Sequence, residues 1–106
     1  MKTFNIPLVD IDFYIYVGEK EWEKFKNDSI TNGAEESRKE VYPGKESGRA
    51  GGSWIWFDSK KDTNTIIHEL SHFIDDLLKY LRTNDGEFRA YLTGWVIDNV
   101  LKWVKL

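Results

Sequence analysis

His68-Glu69-Leu70-Ser71-His72 reads H-E-x-x-H, and its two histidines are the only ones in the chain. On a helix, residues four apart stand one above the other on a single face, so both imidazoles can reach one metal ion. Glu69, one step round the helix from His68, then sits beside the water that such a metal activates and stays off the metal itself. That is the arrangement metal-assisted peptide hydrolysis requires. The bland alternative is a pair of solvated surface histidines.

The elements needed to hold these residues are legible nearby. Asp62, Thr63 and Asn64 are helix-start residues. A helix is predicted from Thr65 to Leu81, with its apolar stripe at Ile66, Ile67, Leu70, Phe73, Ile74, Leu77, Leu78 and Leu81. His68 and His72 fall roughly opposite the centre of that stripe, with Asp75 and Lys79 beside them, so the core does not claim them. Arg82 to Gly86 is a turn. A last helix runs from Asp85 to Trp103, apolar over much of its circumference, which predicts either deep burial or pairing of its end with another chain. Glu87, Tyr91, Gly94 and Asp98 form a separate stripe on it.

Catalytic zinc takes three protein ligands and keeps one position for water. The chain has no cysteine and no third histidine, so the third ligand must be a carboxylate. The extended metzincin pattern fails, since Asp75 and Leu78 stand where Gly and His belong. Glu87 is the leading candidate: it follows His72 after a short turn, on the first turn of the next helix, where the helix dipole favours an ionised carboxylate. Its rival reading is structural, with Asn84 as N-cap and Glu87 closing a capping box. Asp75 and Asp76 are rival ligands on the histidine helix itself, or outer partners of an imidazole N–H. Asp85 is weaker.

Towards the N-terminus, Asp10 to Val17 alternates with period two and predicts a strand buried on one face through Ile11, Phe13, Ile15 and Val17. Glu19 to Asn27 predicts a short surface helix anchored by Trp22 and Phe25. Asn32-Gly33 signals a turn, Arg38 to Tyr42 a short strand, and Pro43 to Gly52 a loop poised as a flap near a cleft. Gly44-Lys45 is not a phosphate loop, because Glu46 stands where Ser or Thr is required. Ser53 to Asp58 is a strand with Trp54 and Trp56 on one face and Ile55 and Phe57 on the other. Either both faces are covered or one meets a ligand.

The totals bound the rest. A chain of 106 residues is read as one domain, 1–106. With 41% hydrophobic residues and five Trp it can bury a core. The net charge of -3 and a pI near 5.4 exclude the basic field that nucleic acid needs. No run reaches the roughly 18 apolar residues of a membrane span. Pro7, Asp10 and Asp12 break the first apolar run too early for a signal peptide. A cytoplasmic protein without a membrane or nucleic-acid partner is expected.

HELSHFIDDLL, followed after a short turn by E-F-R-A-Y-L-T-G-W, resembles the short HExxH proteins of tailed phages and prophages, which in turn resemble minimal gluzincin metallopeptidases. The likeness covers roughly Ser53 to Asp98. It implies a zincin-like α+β fold: a small antiparallel sheet of about three strands, the HExxH helix, and a following helix that carries a glutamate ligand. It puts that glutamate on Glu87. It implies a Zn2+-dependent peptidase with His68, His72 and Glu87 on the metal and Glu69 as general base. Tyr91, one turn after Glu87, would donate to the developing oxyanion or hold a ligand; Tyr80 is a lesser candidate for this role. It also implies that an extended peptide or protein substrate pairs along the strand before the HExxH helix, Ser53 to Phe57, with Trp54 or Trp56 lining a pocket. The competing expectations are a catalytically idle protein of the same fold that binds a host or virion protein, and a purely structural metal site.

Overall fold

Strand β2 (Ile11–Val17) lies at the middle of the molecule, and its two faces dictate the layers on either side. In the computed structural model the backbone of residues 1–31, 48–51 and 53–106 and the side chains of residues 1–27 and 53–106 are described. The expected strand at Arg38 to Tyr42 and the turn at Asn32-Gly33 lie outside them. The remaining elements are β1 (Lys2–Ile6), α1 (Glu19–Thr31), β3 (Gly48–Gly51), β4 (Trp54–Phe57), α2 (Thr63–Tyr80) and α3 (Gly86–Val104).

The fold is α+β, but the sheet is not the three-stranded antiparallel one expected. Among the described residues it has four strands in the order β1-β2-β4-β3, and β2 and β4 run parallel, with Ile15 opposite Ile55 and Tyr16 opposite Trp56. Parallel neighbours need a crossover between them. Here α1 lies in that crossover, and the antiparallel β3–β4 hairpin follows with β4 inside. Part of the expected Pro43 to Gly52 loop is therefore a strand, β3. Trp56 fastens the crossover: its Nε1–H donates to the carbonyl of Gly18 at 2.8 Å. Gly18 ends β2 with φ 85, a left-handed conformation that glycine adopts without a Cβ clash.

β1 was not foreseen. It is short, with only Ile6 fully buried and Phe4 half-buried, so its alternation is faint. What pins it is turn chemistry. Asn5 Nδ2 donates to Asp10 Oδ1 at 3.0 Å and to Asp12 Oδ1 at 2.8 Å, across the hairpin to β2, while Asp10 takes φ 50.

Both faces of the sheet are covered, which corrects the reading of β2 as buried on one side. Phe13, Ile15, Ile55 and Phe57 join Leu70, Phe73, Ile74, Leu92, Val96 and Val100 in the main core, with Phe13 and Phe73 ring to ring at 4.8 Å. On the other face Tyr16 and Trp56 meet Trp22 and Phe25 of α1, the two indoles 4.3 Å apart. Trp22 and Phe25 are the foreseen anchors, although α1 runs four residues further than the charge pattern suggested. Trp56 is thus a core residue. The last helix is less buried than its apolar sequence implied: only Leu92, Val96 and Val100 are fully enclosed, and Trp95, Ile97, Leu101 and Trp103 are half-buried around them. Among the described residues, no helix is long and apolar enough to cross a membrane.

Candidate metal centre

α2 begins at Thr63, two residues before the predicted Thr65 and directly after one of the expected helix-start residues. Asp62 is its N-cap, accepting from the Thr65 backbone N–H at 3.1 Å and from the Thr65 hydroxyl at 2.6 Å. The hydroxyl contact first, and the N–H second, hold the Asp62 carboxyl below its ordinary value. From this fixed start the 3.6-residue repeat turns Ile66, Leu70, Phe73, Ile74, Leu77 and Leu78 inward. His68 and His72 turn outward on the exposed side.

The two imidazoles converge. Their Nε2 atoms are 3.1 Å apart and their rings stand at 84°. Two nitrogens bound to one tetrahedral zinc at about 2.0–2.1 Å each lie roughly 3.3 Å apart. The same spacing serves an N–H···N hydrogen bond between the rings, with one donating and the other accepting. Glu69 is the one described charged residue that is buried, at 8% exposure, and its Oε1 lies 4.0 Å from His68 Nε2. So the pentapeptide divides into two exposed nitrogen donors and a sheltered carboxylate at their side.

The carboxylates around it divide too. Asp75 accepts from Arg89 of α3 at 2.8 Å, so the rival ligand Asp75 is a tie between helices. Asp85, not Asn84, is the N-cap of α3: its Oδ1 accepts from the N–H of Glu87 at 2.9 Å and of Phe88 at 3.1 Å. The capping box expected on Asn84 is replaced by this cap, one residue later. Glu87 is exposed on the first turn of α3. Among the described residues no group of three His, Cys, Asp or Glu side chains is gathered to hold a metal, so Glu87 does not join His68 and His72. α3 meets α2 beside Asp75 and Leu78, about two turns past His68; at about 100° per residue His72 and Asp76 turn roughly 60° and 100° further round from Asp75, towards Glu69 and Phe73. Tyr91 is 46% exposed on α3, and no described contact joins it to either histidine.

The strand expected to pair with a substrate, Ser53 to Phe57, is an interior one. The backbone of β4 pairs with β2 on one side and β3 on the other, and the Ser53 carbonyl accepts from the Tyr14 N–H at 2.9 Å. Ser53 to Phe57 has no edge to offer. β3, which packs against α2, is the outer strand on that side. What the reading missed is a pocket of about 270 Å³ beside the next turn of α2, between Asp76, Tyr80, Phe73 and Leu77 of the helix and Ile11 and Ser53 of the sheet. The available signal was Asp76, four residues after His72 on the same flank.

No family model, curated protein or solved structure matches this chain.

Proposed function

We propose that the chain is a zinc-dependent peptidase built on this small α+β fold, with His68 and His72 as metal ligands and Glu69 as general base. The observation that carries the reading is the pair of Nε2 atoms 3.1 Å apart with a sheltered carboxylate 4.0 Å from one of them. When bound, zinc supplies a more acidic water and polarises the scissile carbonyl. Glu69 takes the proton of the attacking water and delivers it to the leaving amine. At 8% exposure Glu69 is largely shielded from bulk water, which strengthens its electrostatic interaction with a nearby charge. An extended substrate lies along the outer edge of β3, the edge nearest α2, in place of the interior strand β4. Glu87 enters the proposal through its place on the first turn of the next helix and through the resemblance to the phage HExxH proteins, and Tyr91 through its place one turn later. The proposed compartment is the cytoplasm, which a cysteine-free chain fits.

The test is direct. Purified protein should take up one zinc per chain and cleave a denatured protein substrate. Glu69→Gln should keep the zinc and lose about 10²- to 10⁴-fold in cleavage rate. Unchanged cleavage in that variant would remove Glu69 from the role, and failure to bind stoichiometric zinc would remove the site. A second reading, an idle protein of the same fold that binds a host or virion protein, is favoured by the docking of α3 through Asp75 and Arg89, which leaves Glu87 away from the histidines. Zinc uptake without cleavage in the parent chain is its signature.

A further inference from the structure

The geometry points to a specificity pocket: the cavity beside Asp76 receives a lysine or arginine side chain of the peptide presented to His68 and His72. This rests on the peptidase reading and goes beyond it by naming the substrate class.

Four observations carry it. First, the size. At about 270 Å³ the pocket falls just below the roughly 300–1,000 Å³ of small-molecule sites, which suits a single side chain. Second, the lining. Ile11, Phe73 and Leu77 make apolar walls, while Ser53, Asp76 and Tyr80 supply the polar atoms. A long aliphatic stem ending in a cation matches that division, with methylenes against the walls and the charge at the carboxylate. Tyr80, 77% exposed, adds a ring face for the same cation.

Third, the charge is available. Among the described residues Asp76 has no hydrogen-bond or ion-pair partner, whereas its neighbour Asp75 is engaged by Arg89 at 2.8 Å. A carboxylate at the mouth of an apolar pocket repels acidic side chains and discriminates against neutral ones. Fourth, the placement. Asp76 follows His72 by one turn, about 6 Å along the axis. An extended peptide advances roughly 3.3 Å per residue, so the pocket lies within two residues of a bond held at the histidines.

The experiment uses the whole chain and two small probes, N-acetyl-lysine methylamide and its norleucine counterpart, which differ only by the ammonium group. Amide resonances of Phe73, Asp76, Leu77 and Tyr80 are followed by NMR during titration. The lysine probe should bind about five- to tenfold more tightly than the norleucine probe, the scale of one partly exposed ion pair. Asp76→Asn should erase that preference, and Asp75→Asn should leave it. Equal binding of the two probes, or a lysine preference that survives Asp76→Asn, overturns the pocket assignment. His72→Ala separates the two readings. It should abolish zinc uptake yet keep the lysine preference, because His72 does not line the cavity. A chain that binds zinc and cleaves but shows no lysine preference loses only this inference. A chain with the preference but no zinc loses only the peptidase.

Discussion

Helix α2 has two flanks, and they use the same residue types in opposite ways. On the α3 flank two acidic groups are engaged: Asp75 holds Arg89, and Asp85 caps the next helix. On the sheet flank His72 and Asp76 face open space, with Glu69 sheltered behind them. Asp75 and Asp76 are adjacent in the chain, yet one is a structural tie and the other a charge at a pocket mouth with no partner among the described residues. A step of about 100° around a helix is enough to move a carboxylate from scaffold to site. The difference teaches that a motif's neighbours must be judged by the flank they occupy and not by their distance along the chain.

The largest expected effect sets the flanks directly against each other. His72→Ala should weaken zinc binding by more than about 100-fold, beyond the 10- to 100-fold usual for a partner that only supports a ligand. Asp75→Asn should leave it unchanged. Calorimetric titration of zinc into each variant decides the matter, and equal losses would dissolve the distinction between the flanks. Glu87→Ala belongs in the same series. Unchanged affinity would leave α3 without any part in the metal site, and a loss comparable with His72→Ala would mean that α3 moves towards the histidines when zinc binds.

A smaller effect tests whether the α3 flank is as structural as its contacts imply. Asp85→Ala removes the cap that satisfies two backbone donors and should destabilise the chain by about 1 kcal/mol in urea unfolding. Arg89→Ala breaks an ion pair whose side chains are both half-exposed, so its cost should stay below about 1 kcal/mol. Reversal of that order would show the interhelical pair, and not the cap, to be what seats α3.

How far the sequence carried these conclusions depended on whether the deciding force was local. The start of α2 at Asp62, its buried stripe and the outward histidines follow from capping and the 3.6 repeat, both properties of a few consecutive residues. So do Trp22 and Phe25 as anchors. The parallel pairing of β2 with β4 does not, because it goes with Trp56 meeting Trp22 across the crossover and reaching the Gly18 carbonyl, contacts more than 30 residues apart in sequence. The same holds for Glu87. A short turn guarantees that α3 lies against α2 but leaves open the side it takes, and that choice falls to Asp75, Arg89 and the half-buried apolar residues of α3. In the sequence Asn84 and Asp85 are equally good caps; only the path of the turn, with Thr83 Oγ1 accepting from the Asp85 N–H at 3.2 Å, selects the second.

The smallest expected effect lies at the shared root of both flanks, the Asp62 cap. Its carboxyl titrates below the ordinary value of 3.8, chiefly because the Thr65 hydroxyl and then the Thr65 N–H donate to it. A carboxyl depressed by folding binds its proton more weakly in the folded chain than in the unfolded one. Its contribution is therefore complete at neutral pH and begins to fade only as the pH falls into the ordinary carboxylate range. It is gone once the pH has passed below the folded value. Thr65→Val removes the larger donor and keeps the N–H. Its urea midpoint should fall slightly at pH 7 and converge on that of the parent as the pH drops through this window. Asp62→Asn keeps a capping oxygen without the charge, so its acid limb should be flatter than the parent's. Parallel acid limbs for all three proteins would remove Asp62 as a source of the pH dependence, and would leave α2 with its two flanks anchored by the buried stripe alone.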